Sequence, residues 1–237
     1  MMAAKPEYIQ SNGFIAEVIR TPRRKTATIK VDDRVVSVVV PQDLAEQRIT
    51  RLLKDKNRWI KNKIATQKAI APVNEKQYIS GEAFSYLGKN YRLKVKRGPF
   101  QPVKLLQGRL VATLPDGSNN PHMVRNALVR WYQGQATHKL IEKTNRYAEQ
   151  IAVKPTAVNI KTYKSRWGNC NSKGHIDYNW KIVMAPHWVV DYVVVHELCH
   201  LKHFNHSKKY WNKVKHHCAD ATDAKEWLRI NGASINI

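Results

Sequence analysis

Along the N-terminal quarter of the chain, apolar and polar residues alternate at the period of a β-strand. Such runs are Phe14-Ile15-Ala16-Glu17-Val18-Ile19, Ala27-Thr28-Ile29-Lys30-Val31 and Val35 to Val40, with Asp32-Asp33 as a turn between the last two. After Pro41 the period lengthens. Ile49, Leu52, Leu53, Trp59, Ile60 and Ile64 recur at helical spacing, which predicts one helix capped by Asp43 and running to about Gln67. Residues 72–80 keep neither period and read as a linker. Strands follow around Phe84–Leu87, Tyr91–Val95 and Leu110–Leu114, punctuated by Gly81, Gly88, Gly98, Gly108 and Gly117. Gly81 to Gly88 lacks the glycine pattern and the Lys-Ser/Thr pair of a phosphate loop, so it reads as strand and turn. Asn120-Pro121 then opens a helix to about residue 150, carrying Val124, Leu128, Trp131, Tyr132, Leu140 and Ile141.

The C-terminal half returns to strand periodicity before its last helical stretch. Val158, Ile160 and Thr162 share one face of a strand. Ile176, Tyr178, Trp180 and Ile182 share a face of a second, opposite His175, Asp177, Asn179 and Lys181. A hairpin is predicted, joined by the turn-rich Ser165 to Gly174. The pattern implies an α+β fold: a β-rich region with one helix over residues 1–115, and a second region over 116–237 in which a small sheet accompanies a motif-bearing helix. The two are expected to form one compact unit.

Val193 to Trp211 reads VVVHELCHLKHFNHSKKYW, and His196, Glu197 and His200 match a His-Glu-x-x-His pattern. Its chemistry requires a helix. There, two imidazoles four residues apart rise about 6 Å along one face, close enough to share an ion. On a strand they would be about 13 Å apart. Val189, Val190, Val193, Val194 and Val195 favour a strand by local propensity, but a buried helix tolerates valine where packing dominates. Neutral imidazoles suit zinc, and a catalytic site needs a third protein ligand and an open position for water. Spacing favours His206, provided the helix ends near Phe204 with Asn205 as a left-handed terminator. His203, on the ligand face itself, is the competitor. Glu226 is a weaker carboxylate candidate, and His175, His216 and His217 read as surface residues. Glu197 is placed to act as general base.

Composition adds one strong feature. Forty-one Lys and Arg against eighteen Asp and Glu give a formal net charge of +23. Such a field attracts an anionic substrate or nucleic acid, or it is simply a solvated basic surface. Lys25, Lys54, Lys56, Arg58, Lys61, Lys63, Lys94, Lys96 and Arg97 are dispersed, and the sequence leaves open whether they converge in space. No apolar run is long enough to cross a membrane. The first residues carry no secretory pattern and the three cysteines no disulfide framework, so a cytoplasmic protein without membrane partners is expected.

Two motifs give the chain a family likeness: Ser165-Arg166-Trp167-Gly168-Asn169-Cys170 with Asn179-Trp180 downstream, and His196-Glu197-Leu198-Cys199-His200 followed by Asn205-His206-Ser207. With Arg20 to Lys25, Lys56–Ile60 and Tyr86-Leu87-Gly88, they make most of the chain resemble the YgjP-like metallopeptidase-domain proteins. The resemblance implies a zincin-like core and carries His206 over as the third ligand. It also implies metal-dependent hydrolysis, with nucleotide pyrophosphatase activity towards UTP in some members. A more distant likeness is to SprT-like zincins, which act on proteins bound to DNA.

The leading expectation is a zinc hydrolase with His196, His200 and His206 as ligands, Glu197 as base and Arg166 stabilising negative charge on the substrate. Arg166 in a structural ion pair is the competing reading. The same site acting on a nucleoside triphosphate is the alternative, with magnesium brought by the nucleotide. A further alternative is a SprT-like protease or a nucleic-acid-binding module whose zinc is structural. Cys170 and Cys199 read as small buried groups, and Trp167 and Trp180 as core.

Overall fold

The computed structural model describes residues 7–22, 26–32, 35–69, 75–115 and 120–237. Asp33, Gly117, Lys25 and residues 72–74 of the expected linker lie outside them. The chain divides into two compact units, residues 1–72 and 73–237.

In the first unit four strands form one mixed sheet: β1 (Glu7–Ser11), β2 (Phe14–Thr21), β3 (Thr28–Asp32) and β4 (Val35–Pro41), in the order β1-β2-β4-β3. The β2–β4 pair is parallel and the other two antiparallel. β1 has no clear signal in the sequence, since Glu7–Ser11 offers a single buried apolar residue, Ile9. The helix expected over 43–67 is broken into α1 (Glu46–Asp55) and α2 (Asn57–Ala69) by a turn at Lys56. Asp43 does not cap it; the N-cap is Ala45, without a side-chain bond. Ile49, Leu53 and Ile60 pack with Ala16, Val18, Val36 and Val38 in a small core.

In the second unit β5 (Ala83–Tyr86), β6 (Lys89–Arg97), β7 (Gln101–Leu106) and β8 (Arg109–Leu114) pair in the order β5-β6-β8-β7. β7 is not legible as a strand because Val103 is its one buried position. One face of this sheet, with Phe84, Tyr86, Leu93, Val103, Leu110, Ala112 and Leu114, joins Val124, Ala127, Leu128 and Tyr132 of α3 (Pro121–Ile151) in a single core. Asn120 caps α3 by accepting from the His122 N–H at 2.9 Å, as its position before proline predicts. The Tyr132 hydroxyl donates to the Ser85 carbonyl at 2.8 Å. Residues 83–114, which the sequence pattern groups with the N-terminal region, therefore share their core with α3.

The expected hairpin has a different topology. β9 (Ala157–Lys161) runs parallel to β11 (His175–Asn179), and the antiparallel place beside β11 is taken by β10 (Gly168–Cys170). Alternation cannot distinguish these pairings, because it reports the period of a strand and not its neighbour. The Asn171 side chain closes the β10–β11 turn by accepting from the N–H groups of Lys173 and His175. Trp180–Met184 coils into a 3₁₀ turn and does not extend the strand, and Asn179 accepts from the Lys181 N–H at its start. α4 (His187–His200), α5 (Lys208–His217) and α6 (Ala221–Asn231) complete the unit. Val189, Val190, Val193, Val194 and Val195 of α4 are all buried. Their burial overrides the strand preference of the run.

This is the α+β architecture with an N-terminal β-rich region that the sequence implied. No helix among the described residues is long and apolar enough to cross a membrane.

Leu128 is fully buried between α3 and the sheet, so Leu128→Ala is expected to cost about 2–5 kcal/mol by lost transfer energy and an unfilled cavity. Urea unfolding followed by tryptophan fluorescence measures this, and a loss below about 1 kcal/mol would contradict the packing described.

Candidate metal centre

Helical spacing brings His196 and His200 together, with ring centroids 5.0 Å apart. α4 then stops at His200, four residues before the end near Phe204 that the sequence suggests. The N–H groups of Leu201 and Lys202 reach carbonyls three residues back, which tightens the last turn. Residues 201–206 turn the chain round without a left-handed residue at Asn205; that expectation is not met. Ser207 starts the next helix, its hydroxyl accepting from the Tyr210 N–H.

The turn carries His206 back over α4. Nitrogens of His196, His200 and His206 all lie within 4.8 Å of one another. Nε2 of His206 is 3.4 Å from Nε2 of His196, close to the roughly 3.3 Å between two ligands of a tetrahedral ion with bonds near 2.05 Å. The His203 side chain does not join this cluster. Its main-chain carbonyl lies 3.1 Å from His200 Nδ1. A carbonyl can only accept, so His200 carries its proton on Nδ1 and leaves Nε2 free as a ligand. The Tyr192 hydroxyl stands 3.5 Å from His196 Nδ1 in the corresponding place. Burial and the neighbouring imidazoles hold His196 down to about 3 and push His200 below its ordinary value, so both rings are neutral at pH 7, the form in which imidazole binds a metal. An all-nitrogen cluster of imidazoles fits zinc.

Tyr210, which sequence reasoning does not single out, holds the cluster together. It is fully buried, donates its hydroxyl to the His196 carbonyl at 3.1 Å, and stacks on His200 with centroids 4.6 Å apart. Its position four residues after His206 is the one available signal. Trp211 stacks on His206 at 5.6 Å, with Lys225 Nζ 4.8 Å from the outer ring system.

Glu197 is 5% exposed, and burial pushes its carboxyl up to about 8 against the opposing pull of Arg166. It packs against Gly168 of β10. A Cβ built at Gly168 would come 2.6 Å from Glu197 Cγ and 2.7 Å from Cδ, and would also strike Oε1. No residue but glycine fits there without displacing the carboxylate.

Arg166 is exposed, makes no ion pair among the described residues, and donates to Asn169 Oδ1 at 3.0 Å. The loop that carries it is clasped from β11: the Asn179 amide donates to the carbonyls of Tyr163 and Arg166. Trp180 Nε1 donates to Thr162, and Asp177 accepts from Asn159, Lys161 and Tyr163. Burial raises the Asp177 carboxyl, but those hydrogen bonds outweigh it and hold the group below its ordinary value.

The remaining candidates fall elsewhere. Glu226 pairs with Arg229 on the surface of α6. His175, His216 and His217 are outside the cluster. Burial raises the thiols of Cys170, Cys199 and Cys218 to about 11, so all three are protonated at pH 7. Trp180 is core, while Trp167 is half-buried at its edge.

Converging imidazoles beside a buried glutamate, on an α+β frame, have the character of a metal-dependent hydrolase. A family model described as YgjP-like, metallopeptidase domain matches residues 25–231. The chain belongs to the YgjP-like metallopeptidase-domain family, a family of metal-dependent hydrolases. No curated protein and no solved structure matches it.

Removing a histidine that contributes a nitrogen to the cluster should weaken zinc binding far more than removing a neighbour outside it. His206→Ala is expected to lower zinc affinity at least about 100-fold, and His203→Ala to change it by less than about threefold. Competition titration with a chromophoric chelator checks both, and the reverse order would place the third ligand at His203. Asp177 contributes stability above the ordinary carboxylate pKa, lost as pH falls through its lower folded-state value. Thermal unfolding of the parent should therefore weaken below about pH 4, and Asp177→Asn should remove part of that dependence.

Proposed function

We propose that this chain is a zinc-dependent hydrolase of carbonyl substrates, peptide bonds foremost. His196, His200 and His206 hold the ion and Glu197 is the general base. The observation that carries the reading is the convergence of three imidazoles, with no carboxylate in the cluster, beside a buried glutamate. A divalent ion bound there acts as a Lewis acid on the carbonyl and makes a water acidic at neutral pH. A bound cation would favour the ionised form of Glu197 against the effect of burial, and that carboxylate takes the proton of the attacking water and delivers it to the leaving amine. Gly168 keeps that carboxylate against α4, since any side chain at 168 would occupy its volume. Arg166, whose charge reaches Glu197, stabilises negative charge on the substrate oxygen as the bond breaks. The nitrogen-only cluster supports the carbonyl reading over phosphoanhydride cleavage, which more often uses magnesium on oxygen ligands.

Glu197→Gln is expected to keep about one equivalent of zinc while lowering turnover about 10²–10⁴-fold. Peptides and nucleoside triphosphates, each assayed against this variant, provide the test. Unchanged turnover of every cleaved substrate in Glu197→Gln would remove the base. Glu197-dependent hydrolysis of a triphosphate but of no peptide would overturn the carbonyl assignment. Gly168→Ala should likewise keep its zinc and lose at least about tenfold in turnover; full activity would show that Glu197 relocates without penalty.

A further inference from the structure

The dispersed cations of the sequence converge in part on one open surface of the second unit. The face of the β5–β8 sheet turned away from α3 presents Arg92, Lys94 and Lys96 from β6, Arg109 from β8 and Lys104 from β7, all exposed. The ladder sets them in rows. Arg92 stands opposite Arg109, and Lys94 and Lys104 flank Val111 from either side. Alternate residues on a strand are about 6.6 Å apart and neighbouring strands about 4.8 Å, so the five cations occupy a lattice roughly 13 Å by 10 Å. A shallow hollow of about 440 Å³ lies between Lys94, Lys96 and Arg109, floored by Val111.

No strand of this sheet contains an Asp or Glu. Among the described residues no carboxylate forms an ion pair with any of the five. A solvated basic surface normally interleaves both signs, because like charges on neighbouring strands repel. Five cations gathered on adjacent strands without a counter-charge form a surface complementary to a dense anion.

We infer that this open sheet face binds double-stranded DNA through its phosphate backbone, independently of sequence. The double helix carries one negative charge per about 1.7 Å of axis and releases counterions when lysine and arginine replace them. Among its described residues the face has no aromatic platform on which unpaired bases could stack, which disfavours a single strand. It has no helix or ribbon protruding to read a groove, so contact stays with the backbone. Val111 and Leu106 between the cations are apolar, and the polar Gln107 and Thr113 stand only at the margin of the lattice, so the face offers little to the rows of 2′-hydroxyls of an RNA helix. Binding here is independent of the hydrolytic reading, since none of the five cations belongs to the metal cluster.

The test is fluorescence anisotropy of the full chain, titrated with a mixed-sequence DNA duplex of about two helical turns over a range of salt. The variant is Lys94→Gln/Lys96→Gln/Arg109→Gln, with Lys202→Gln/Lys209→Gln/Lys215→Gln as a control of equal charge change. The sheet variant should bind the duplex at least about tenfold more weakly. Its salt slope should be shallower by about 3, one unit for each phosphate that is no longer neutralised. The control should change affinity by less than about threefold. Thermal unfolding of both variants at the parent temperature, with parental zinc content, separates weakened binding from failed folding. Equal binding by sheet variant and parent overturns the inference, as does an equal loss in the control. So does tighter parental binding to the single strand, to an RNA duplex or to phosphatidylserine vesicles than to DNA. Should the glutamines unfold the unit, Lys94→Ala and Lys104→Ala, tested singly, must each lower the salt slope by about 1.

Discussion

Burial of the valine run of α4 is the constraint on which the rest depends. Val189, Val190 and Val193 to Val195 would each prefer a strand, yet all are enclosed by the core that also contains α3 and the two sheets of the second unit. Their burial, about 1.5–3 kcal/mol per side chain, exceeds the few tenths of a kcal/mol per residue by which valine disfavours a helix. Only as a helix does the segment bring His196 and His200 within reach of one ion, with Glu197 packed against β10. The chemistry of the centre is thus a by-product of a hydrophobic decision.

The functional groups are held from three directions by unlike devices. Tyr210 fastens the start of α5 to the His196 carbonyl and lays its ring on His200, so His206 returns to the ligand pair within a rigid frame. Asn179 clasps the Ser165–Trp167 loop through two carbonyls, which fixes Arg166 at its base while its guanidinium stays in solvent. Gly168 leaves Glu197 its volume. Two of these devices explain part of the motif that carries the family likeness, glycine for space and asparagine for the loop, and Trp180 adds a hydrogen bond to Thr162.

The helix-borne histidines of the cluster face neutral partners at Nδ1 and not charges: a backbone carbonyl at His200 and the Tyr192 hydroxyl at His196. The His203 carbonyl accepts from His200 Nδ1, and among the described residues no carboxylate takes that role at either helix-borne ligand. Neutral partners would leave an ion held there more of its positive charge, which is in keeping with the proposed activation of water. The same economy of carboxylates marks the open face of the β5–β8 sheet, where cations stand without counter-ions.

By itself the sequence determined the periodic elements and the ligand types. Asn120-Pro121 announced α3, the alternation of 14–19 and 35–40 announced strands, and His-Glu-x-x-His announced two imidazoles brought together on one helix, because these signals are local and repeat at the period of the backbone. It also favoured His206 over His203, through an interval that only a reversing chain can use. Tertiary structure alone decided the rest. Whether β9 pairs with β11 in parallel, that residues 83–114 share a core with α3, and that Tyr210 and Gly168 serve the centre are all contacts between residues far apart in the chain. The dispersed lysines and arginines were equally silent, since charge carries no period. Only the register of β6, β7 and β8 brings Arg92, Lys94, Lys96, Lys104 and Arg109 onto one face.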